Sequence, residues 1–229
     1  MNYFALIPAA GVGARMAAGY PKQYLPLLGK PMLRHTVEAF LRSPLVAHTY
    51  VVVSADDGYA DDVLPADLDG VTVLRCGGAT RMESIRNGLR LLASRIGAED
   101  RVLVHDAARP GLTPELIEKL VAEAGAEPAG GLLALPVVDT VKSKRGGTVT
   151  TTPRDGLWLA QTPQMFPSAL LRRALEEAPD PDAITDDASA VELLGLSPRL
   201  VEGHPRNLKV TLPADIRIAE MYLSMESTQ

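Results

Sequence analysis

Gly11, Gly13, Arg15 and Lys22 follow directly on the apolar run Tyr3 to Pro8, in the segments PAAGVGARM and PKQY. Glycines let the backbone take positive φ and approach a ligand closely, so that successive N–H groups can point at an anion. Arg15 and Lys22 would add full charge, and the chemistry on offer is phosphate binding. A glycine linker at a strand end is the alternative reading of the turn alone. Two familiar phosphate signatures do not fit. A dinucleotide fingerprint wants a third small residue where this chain has Met16, and an acid about 20 residues further on, where it has PMLRH. A Walker loop needs Lys followed by Ser or Thr, whereas Lys30 precedes Pro31.

Other polar clusters lie further along. CGGATRMES sets Gly77, Gly78 and Thr80 before a helical pattern that carries Ser84 in its first turn. It can cap the helix or pass close to a base or sugar. VHDAARP puts Asp106 at a strand end with Arg109 just after it. Asp106 could bind ribose, reach a magnesium ion through water, or cap a turn. TTPRDGLWLAQTPQMF, ITDDASAVE and RNLKVTLP are rich in hydroxyls, amides and lone cations rather than in core pattern. Arg154, Thr162, Thr185 and Lys209 in them could surround an anionic substrate.

The elements that must position these groups follow from periodicity. Short apolar runs rich in β-branched residues recur as YFALIP, TYVVVS, VTVLR, RVLVHD and GLLALP, separated by stretches with helical spacing. Pro31 stands near one helix start, Ile85, Leu89 and Leu92 share a face of a second, and Thr113–Pro114 reads as N-cap and first helical residue of a third. Such alternation predicts an α/β domain with a mostly parallel sheet, helices on both faces and right-handed crossovers. Ligands of such sheets gather at the C-terminal strand ends, where AAGVGAR, CGGATR and HDAARP all fall. From Val138 the pattern changes to DTVKSKRGGTVTTT, an extended hairpin turning at Gly146–Gly147. It is either an ordinary surface hairpin or an arm that reaches a second subunit, since an isolated ribbon is marginal in water.

Composition narrows the function classes. The 229 residues can form one large α/β domain, or one with a small appendage, that buries about 70% of its unfolded surface. A net charge of −5 argues against a general nucleic-acid binder. Cys76 is the only cysteine, so no internal disulfide or thiolate cluster is available, which fits the cytoplasm. His35, His48, His105 and His204 show no metal-binding spacing. The N-terminal apolar run is too short to span a membrane and has no basic flank, so neither an export signal nor a membrane partner is predicted.

PAAGVGARM, PKQYLPL, GGATR, VHDAARP, DTVK, AQTPQMF, ITDDASAVE and NLKVT, in this order and spacing, resemble the 2-C-methyl-D-erythritol 4-phosphate cytidylyltransferases of the non-mevalonate isoprenoid pathway. The likeness covers nearly the whole chain. It departs from the usual pattern at Glu83, Ile85, His204 and Leu208. The resemblance implies a single Rossmann-like nucleotidyltransferase domain over residues 1–229, with residues 138–156 as a dimerisation β-arm. It implies that Ala9, Ala10, Gly11, Gly78, Ser84, Asp106 and Ala107 line a cytidine pocket and that Arg15 and Lys22 act on the triphosphate. Thr140, Arg154, Thr162, Thr185 and Lys209 would hold the sugar phosphate, some of them across a homodimer. A divalent metal, usually magnesium, is implied without its ligands. The implied reaction is attack by the phosphate of methylerythritol phosphate on the α-phosphorus of CTP. Ribitol-5-phosphate cytidylyltransferases share this fold and much of PAAGxGxR, and a catalytically silent nucleotide-binding module on the same fold is a further alternative.

Overall fold

The computed structural model describes residues 1–11, 21–180 and 184–226. The central sheet has seven strands, β1 (Tyr3–Pro8), β4 (Val46–Val52), β5 (Val71–Leu74), β6 (Arg101–Val104), β7 (Gly131–Pro136), β10 (Trp158–Pro167) and β11 (Arg199–Glu202). Their spatial order is β11-β7-β10-β6-β1-β4-β5, and β10 alone runs antiparallel to its neighbours. Two short strands, β2 (Pro26–Leu27) and β3 (Lys30–Pro31), pair with each other outside this sheet.

The apolar runs bury both sheet faces, and strand periodicity divides them. Ala5 and Ile7 of β1 face one side with Val51, Leu103 and Leu133, against α1 (Met32–Leu41) and α4 (Pro114–Ala124). Leu6 faces the other with Val52, Val102 and Leu132, against α3 (Arg81–Leu91), α5 (Ser168–Glu176) and α6 (Asp187–Glu192). The short α2 (Ala60–Val63) lies after β4. The C-terminal α7 (Pro213–Glu226) brings Ala219 and Leu223 onto Leu27, Met32 and Ala108 in a third, smaller core. Helices therefore cover both faces, as the alternation predicts.

Local signals hold at the helix starts. Thr113 accepts the Leu116 N–H and is followed by Pro114. Thr80 accepts the Glu83 N–H, and the Glu83 carboxylate turns back to the N–H groups of Ala79 and Thr80 in a capping box. Glu83, where the chain departs from the family pattern, thus has a local use.

TTPRDGLWLAQTPQMF reads as polar and outside the core, yet β10 takes Trp158–Pro167 from it and inserts between β6 and β7, with Gln161 through Pro167 buried. Gln161, Thr162 and Gln164 are buried polar residues with partners inside the fold, so their chemistry hides the strand pattern. The register slips between Ala160 and Gln164, which takes the side chains of this stretch out of strict alternation.

The predicted hairpin is present as β8 (Val141–Arg145) and β9 (Thr148–Thr152), a separate two-stranded sheet turning on Gly146 and Gly147 at φ of 51° and 86°. It is exposed along nearly its whole length.

Candidate active site

β1 is flanked by β4 on one side and β6 on the other, and the connections leaving β1 toward β4 and leaving β6 toward β7 diverge over the C-terminal edge. A crevice opens where crossovers diverge, and ligands of open α/β sheets bind there. The residues after β1 and β6 wall this crevice. One cavity of about 170 Å³ is lined by Ala9, Ala10, Gly11, Lys22, Gln23, Gly78, Thr80, Arg81, Ser84, Asp106, Ala107 and Lys209, among others. A second, of about 270 Å³, is lined by Arg81, Asp106, Arg109, Gln161, Thr162, Gln164, Thr185, Asp186 and Lys209 with Ala160. Arg81, Asp106 and Lys209 belong to both, forming a shared wall.

The wall is an ion cluster. Arg81 places Nε 2.8 Å from Asp106 Oδ1 and Nη2 2.9 Å from Asp187 Oδ2. Lys209 Nζ lies 2.8 Å from Asp106 Oδ2, and Arg109 Nε lies 3.5 Å from the same oxygen. Burial by itself would raise the Asp106 pKa, but Arg81, then Lys209 and Arg109, hold the carboxyl well below the usual carboxylate range. Asp106 is therefore a fixed anion rather than a proton acceptor at neutral pH. Burial likewise opposes the charge on Arg81, but Asp187 and Asp106 outweigh it and raise the guanidinium pKa. Three cations meet two carboxylates in this cluster; Asp186 adds a carboxylate to the second cavity, and Lys22 adds a cation to the first.

The loops that line the first cavity are tied down from below. Gln23 donates from Nε2 to the Ala9 carbonyl at 2.6 Å, and Ser54 Oγ donates to the Ala10 carbonyl at 3.2 Å. Lys22 opens the short 3-10 turn Lys22–Tyr24 and donates to the Val210 carbonyl at 3.1 Å, beside Lys209. Tyr24 anchors the same turn through Asp57 at 2.7 Å. Gly77 must be glycine: a Cβ there would fall 2.4 Å from Ala10 Cβ and 2.9 Å from the Val53 carbonyl oxygen. Ser84 Oγ accepts the Gly78 N–H at 3.1 Å and donates to the Thr80 carbonyl at 3.0 Å, which shapes the loop that faces the cavity.

Among the residues named from sequence, the first cavity gathers Ala9, Ala10, Gly11, Lys22, Gly78, Ser84, Asp106, Ala107 and Lys209, and the second adds Thr162 and Thr185. Arg15, with Gly13, lies outside the described residues. Thr140 and Arg154 line neither cavity: both are exposed at the base of the hairpin, where the Arg154 guanidinium donates to the Val138 carbonyl. Arg81, Gln23 and Gln164 were not singled out. For Arg81 a signal existed, because a cation in the first turn of a helix opposes the macrodipole and calls for a carboxylate partner. Gln164 holds the loop before α6 by donating to Asp186 Oδ2 and accepting the Ala188 N–H, both at 2.8 Å.

The family model for 2-C-methyl-D-erythritol 4-phosphate cytidylyltransferase (IspD) matches residues 3–225. The chain belongs to this family. The cytidylyltransferase of that name from Laribacter hongkongensis is 50% identical over 226 residues, covering 97% of this chain and 96% of the relative. Its namesake from Azoarcus sp. (strain BH72) is 49% identical over 226 residues, covering 97% and 94%. A solved structure of 4-diphosphocytidyl-2C-methyl-D-erythritol synthase superposes with a TM-score of 0.86 at 43% identity, covering 97% of this chain and 98% of that one. The central sheet and its flanking helices are thus the cytidylyltransferase fold of the family.

Proposed function

We infer that this cytidylyltransferase transfers CMP from CTP to 2-C-methyl-D-erythritol 4-phosphate, giving 4-diphosphocytidyl-2-C-methyl-D-erythritol and pyrophosphate for isoprenoid biosynthesis. The observation that carries this at the level of the site is the pair of cavities joined by one cationic wall. CTP takes the cavity of Ala9, Ala10, Gly11, Gly78, Ser84, Asp106 and Ala107, and the polyol phosphate takes that of Thr162, Thr185 and Lys209. The attacking phosphate oxygen forms a bond to the α-phosphorus as the bond to the bridging oxygen of pyrophosphate breaks. That oxygen already carries charge, so no protein nucleophile or base is needed. Asp106 is held anionic and His105 is fully buried, which fits a wall that positions rather than takes protons. The barrier is repulsion between two anions. Lys22, with Arg15 by family motif, neutralises the triphosphate, and Lys209 and Arg109 hold the incoming phosphate.

A divalent metal, magnesium by family resemblance, belongs to the same proposal. Magnesium is usually bound by one or two carboxylates together with substrate phosphates and water. Asp106 reaches both cavities, but its oxygens already carry Arg81 and Lys209, so it suits contact through metal-bound water. A bound ion would supply further neutralisation of the phosphates.

A homodimer completes the reading. Val138 and Val149 of the hairpin region are 73% and 58% exposed, and the neighbouring Leu159 is 60% exposed. Such a ribbon needs something to pack on, and docking against a second copy would carry Thr140 and Arg154 to the partner's polyol site. No helix among the described residues is long and apolar enough to cross a membrane; with a single cysteine, a cytoplasmic location is consistent.

The test is pyrophosphate release with a panel of nucleoside triphosphates, each offered methylerythritol phosphate or ribitol 5-phosphate with magnesium. Turnover is expected with CTP and methylerythritol phosphate. Preference for ribitol 5-phosphate, or CTP binding without release, would overturn the assignment.

A further inference from the structure

His105 follows β6, is fully buried, and lines neither cavity, although both its neighbours in the network do. Its Nε2 lies 3.2 Å from the Arg109 carbonyl oxygen. A carbonyl can only accept, so Nε2 carries the proton. Nδ1, 2.9 Å from Thr162 Oγ1, is then an acceptor and takes the hydroxyl proton of Thr162. The same Thr162 oxygen accepts the Asp106 N–H at 3.1 Å. Each donor direction is forced in turn: Asp106 N–H to Thr162, Thr162 O–H to His105, His105 N–H to Arg109.

We propose that His105 is a positioning residue for the second cavity: as a neutral, Nε2-protonated imidazole it turns the Thr162 hydroxyl proton away from the ligand and pins the turn that carries Arg109. The proposal rests on reading that cavity as the polyol phosphate site. Thr162 has a hydroxyl donor and two acceptor lone pairs; with its proton committed and one lone pair used, what is left for a ligand is an acceptor. An acceptor repels a phosphate oxygen and attracts a hydroxyl. Thr162 therefore selects for a hydroxyl of the polyol, and the phosphate is left to Lys209 and Arg109. Burial keeps the ring neutral by lowering its pKa, to about 3, so the doubly protonated form that would reverse Thr162 is not populated at neutral pH. The ring is further fixed edge-on against Phe40, with centroids 5.4 Å apart.

Nitrogen-15 NMR of the histidine-labelled wild-type enzyme reads the tautomer directly. His105 should show a protonated Nε2 and a bare Nδ1, unchanged between about pH 5 and 8; a proton on Nδ1 would overturn the proposal. Steady-state kinetics then test the consequence. His105→Gln keeps a donor toward Arg109 and loses the acceptor toward Thr162, whereas His105→Asn does the reverse. His105→Gln should raise the KM for methylerythritol phosphate about tenfold and leave the KM for CTP within about twofold, with His105→Asn nearer wild type on the first measure. Thr162→Val, which keeps the side-chain volume, should raise the same KM, and adding His105→Gln to it should cost little more because both remove one link. Unchanged KM for the polyol phosphate, equal rises for both substrates, or fully additive losses would refute His105 as a positioning residue. Failure of the wild type to use methylerythritol phosphate would instead overturn the reading of the cavity.

Discussion

Side chains at this site act mainly by holding charge in place, and the expected losses follow from that. With CTP in the first cavity as proposed, Lys22→Ala removes a cation from beside its triphosphate. By analogy with deleting one donor from an oxyanion site, kcat should fall roughly 100-fold. Near-wild-type turnover in steady-state assays would remove Lys22 from the mechanism. His105 sets a pH effect on stability. Its folded pKa is depressed by burial from 6.5 to about 3, so between those values the unfolded chain binds a proton that the folded chain refuses. Stability is thus fully present above the unfolded pKa and is lost as pH falls toward the folded one. In urea titrations across that window, His105→Gln should show a shallower pH dependence than wild type, and parallel slopes would contradict the assignment. Legibility at this scale depended on company: Gly11 and Lys22 stand in a local motif, whereas Arg81 acquires its meaning from Asp106 and Asp187, which lie 25 and 106 positions away.

At the scale of elements, the loop before α3 shows how backbone packing builds a binding surface. Gly77 passes so close to Ala10 that no side chain fits between the loop after β5 and the loop after β1. Gly77→Ala should therefore cost ~1–3 kcal/mol by overpacking, read as a lower urea midpoint, together with a higher KM for CTP because Ala10 and Gly78 line the same cavity. A fully stable variant with unchanged KM would show that the two loops are not in contact. Strands β1, β4, β5, β6 and β7 are legible as apolar runs, and the caps Thr113 and Thr80 from their side-chain chemistry. β10 is not. Its buried glutamines and threonine are satisfied by Asn207, His105, Asp186 and Ala188, partners from distant parts of the chain. A pattern based on hydrophobicity cannot register such a strand, because its burial is made tolerable by hydrogen bonds rather than by apolar surface.

At the scale of the whole molecule, Thr140 and Arg154 line neither cavity of their own chain. If the hairpin docks on a second copy, each polyol cavity is built from two chains. Mixing Lys22→Ala with Arg154→Ala chains and allowing subunits to exchange should then restore activity above either parent, because each heterodimer contains one intact site. No recovery, in mixtures shown by native mass spectrometry to hold heterodimers, would place Arg154 in its own chain's site. Long-range charge adds a dependence on solvent: substrate anions approach a chain of net charge −5 through a cationic crevice, and kcat/KM should decline as salt rises.

The amino-acid sequence by itself determined the fold class, the strand ends where ligands gather and the family motifs, because these depend on periodicity and on residues close together in the chain. Tertiary structure decided the rest. It chose the order of the strands, put β10 beside β6, and brought Arg81, Asp106, Lys209 and Asp187 into one wall between two cavities. The physical reason is that a buried charge or hydroxyl takes its pKa and its donor direction from whatever packs against it, and those neighbours are set by the crossing of distant segments.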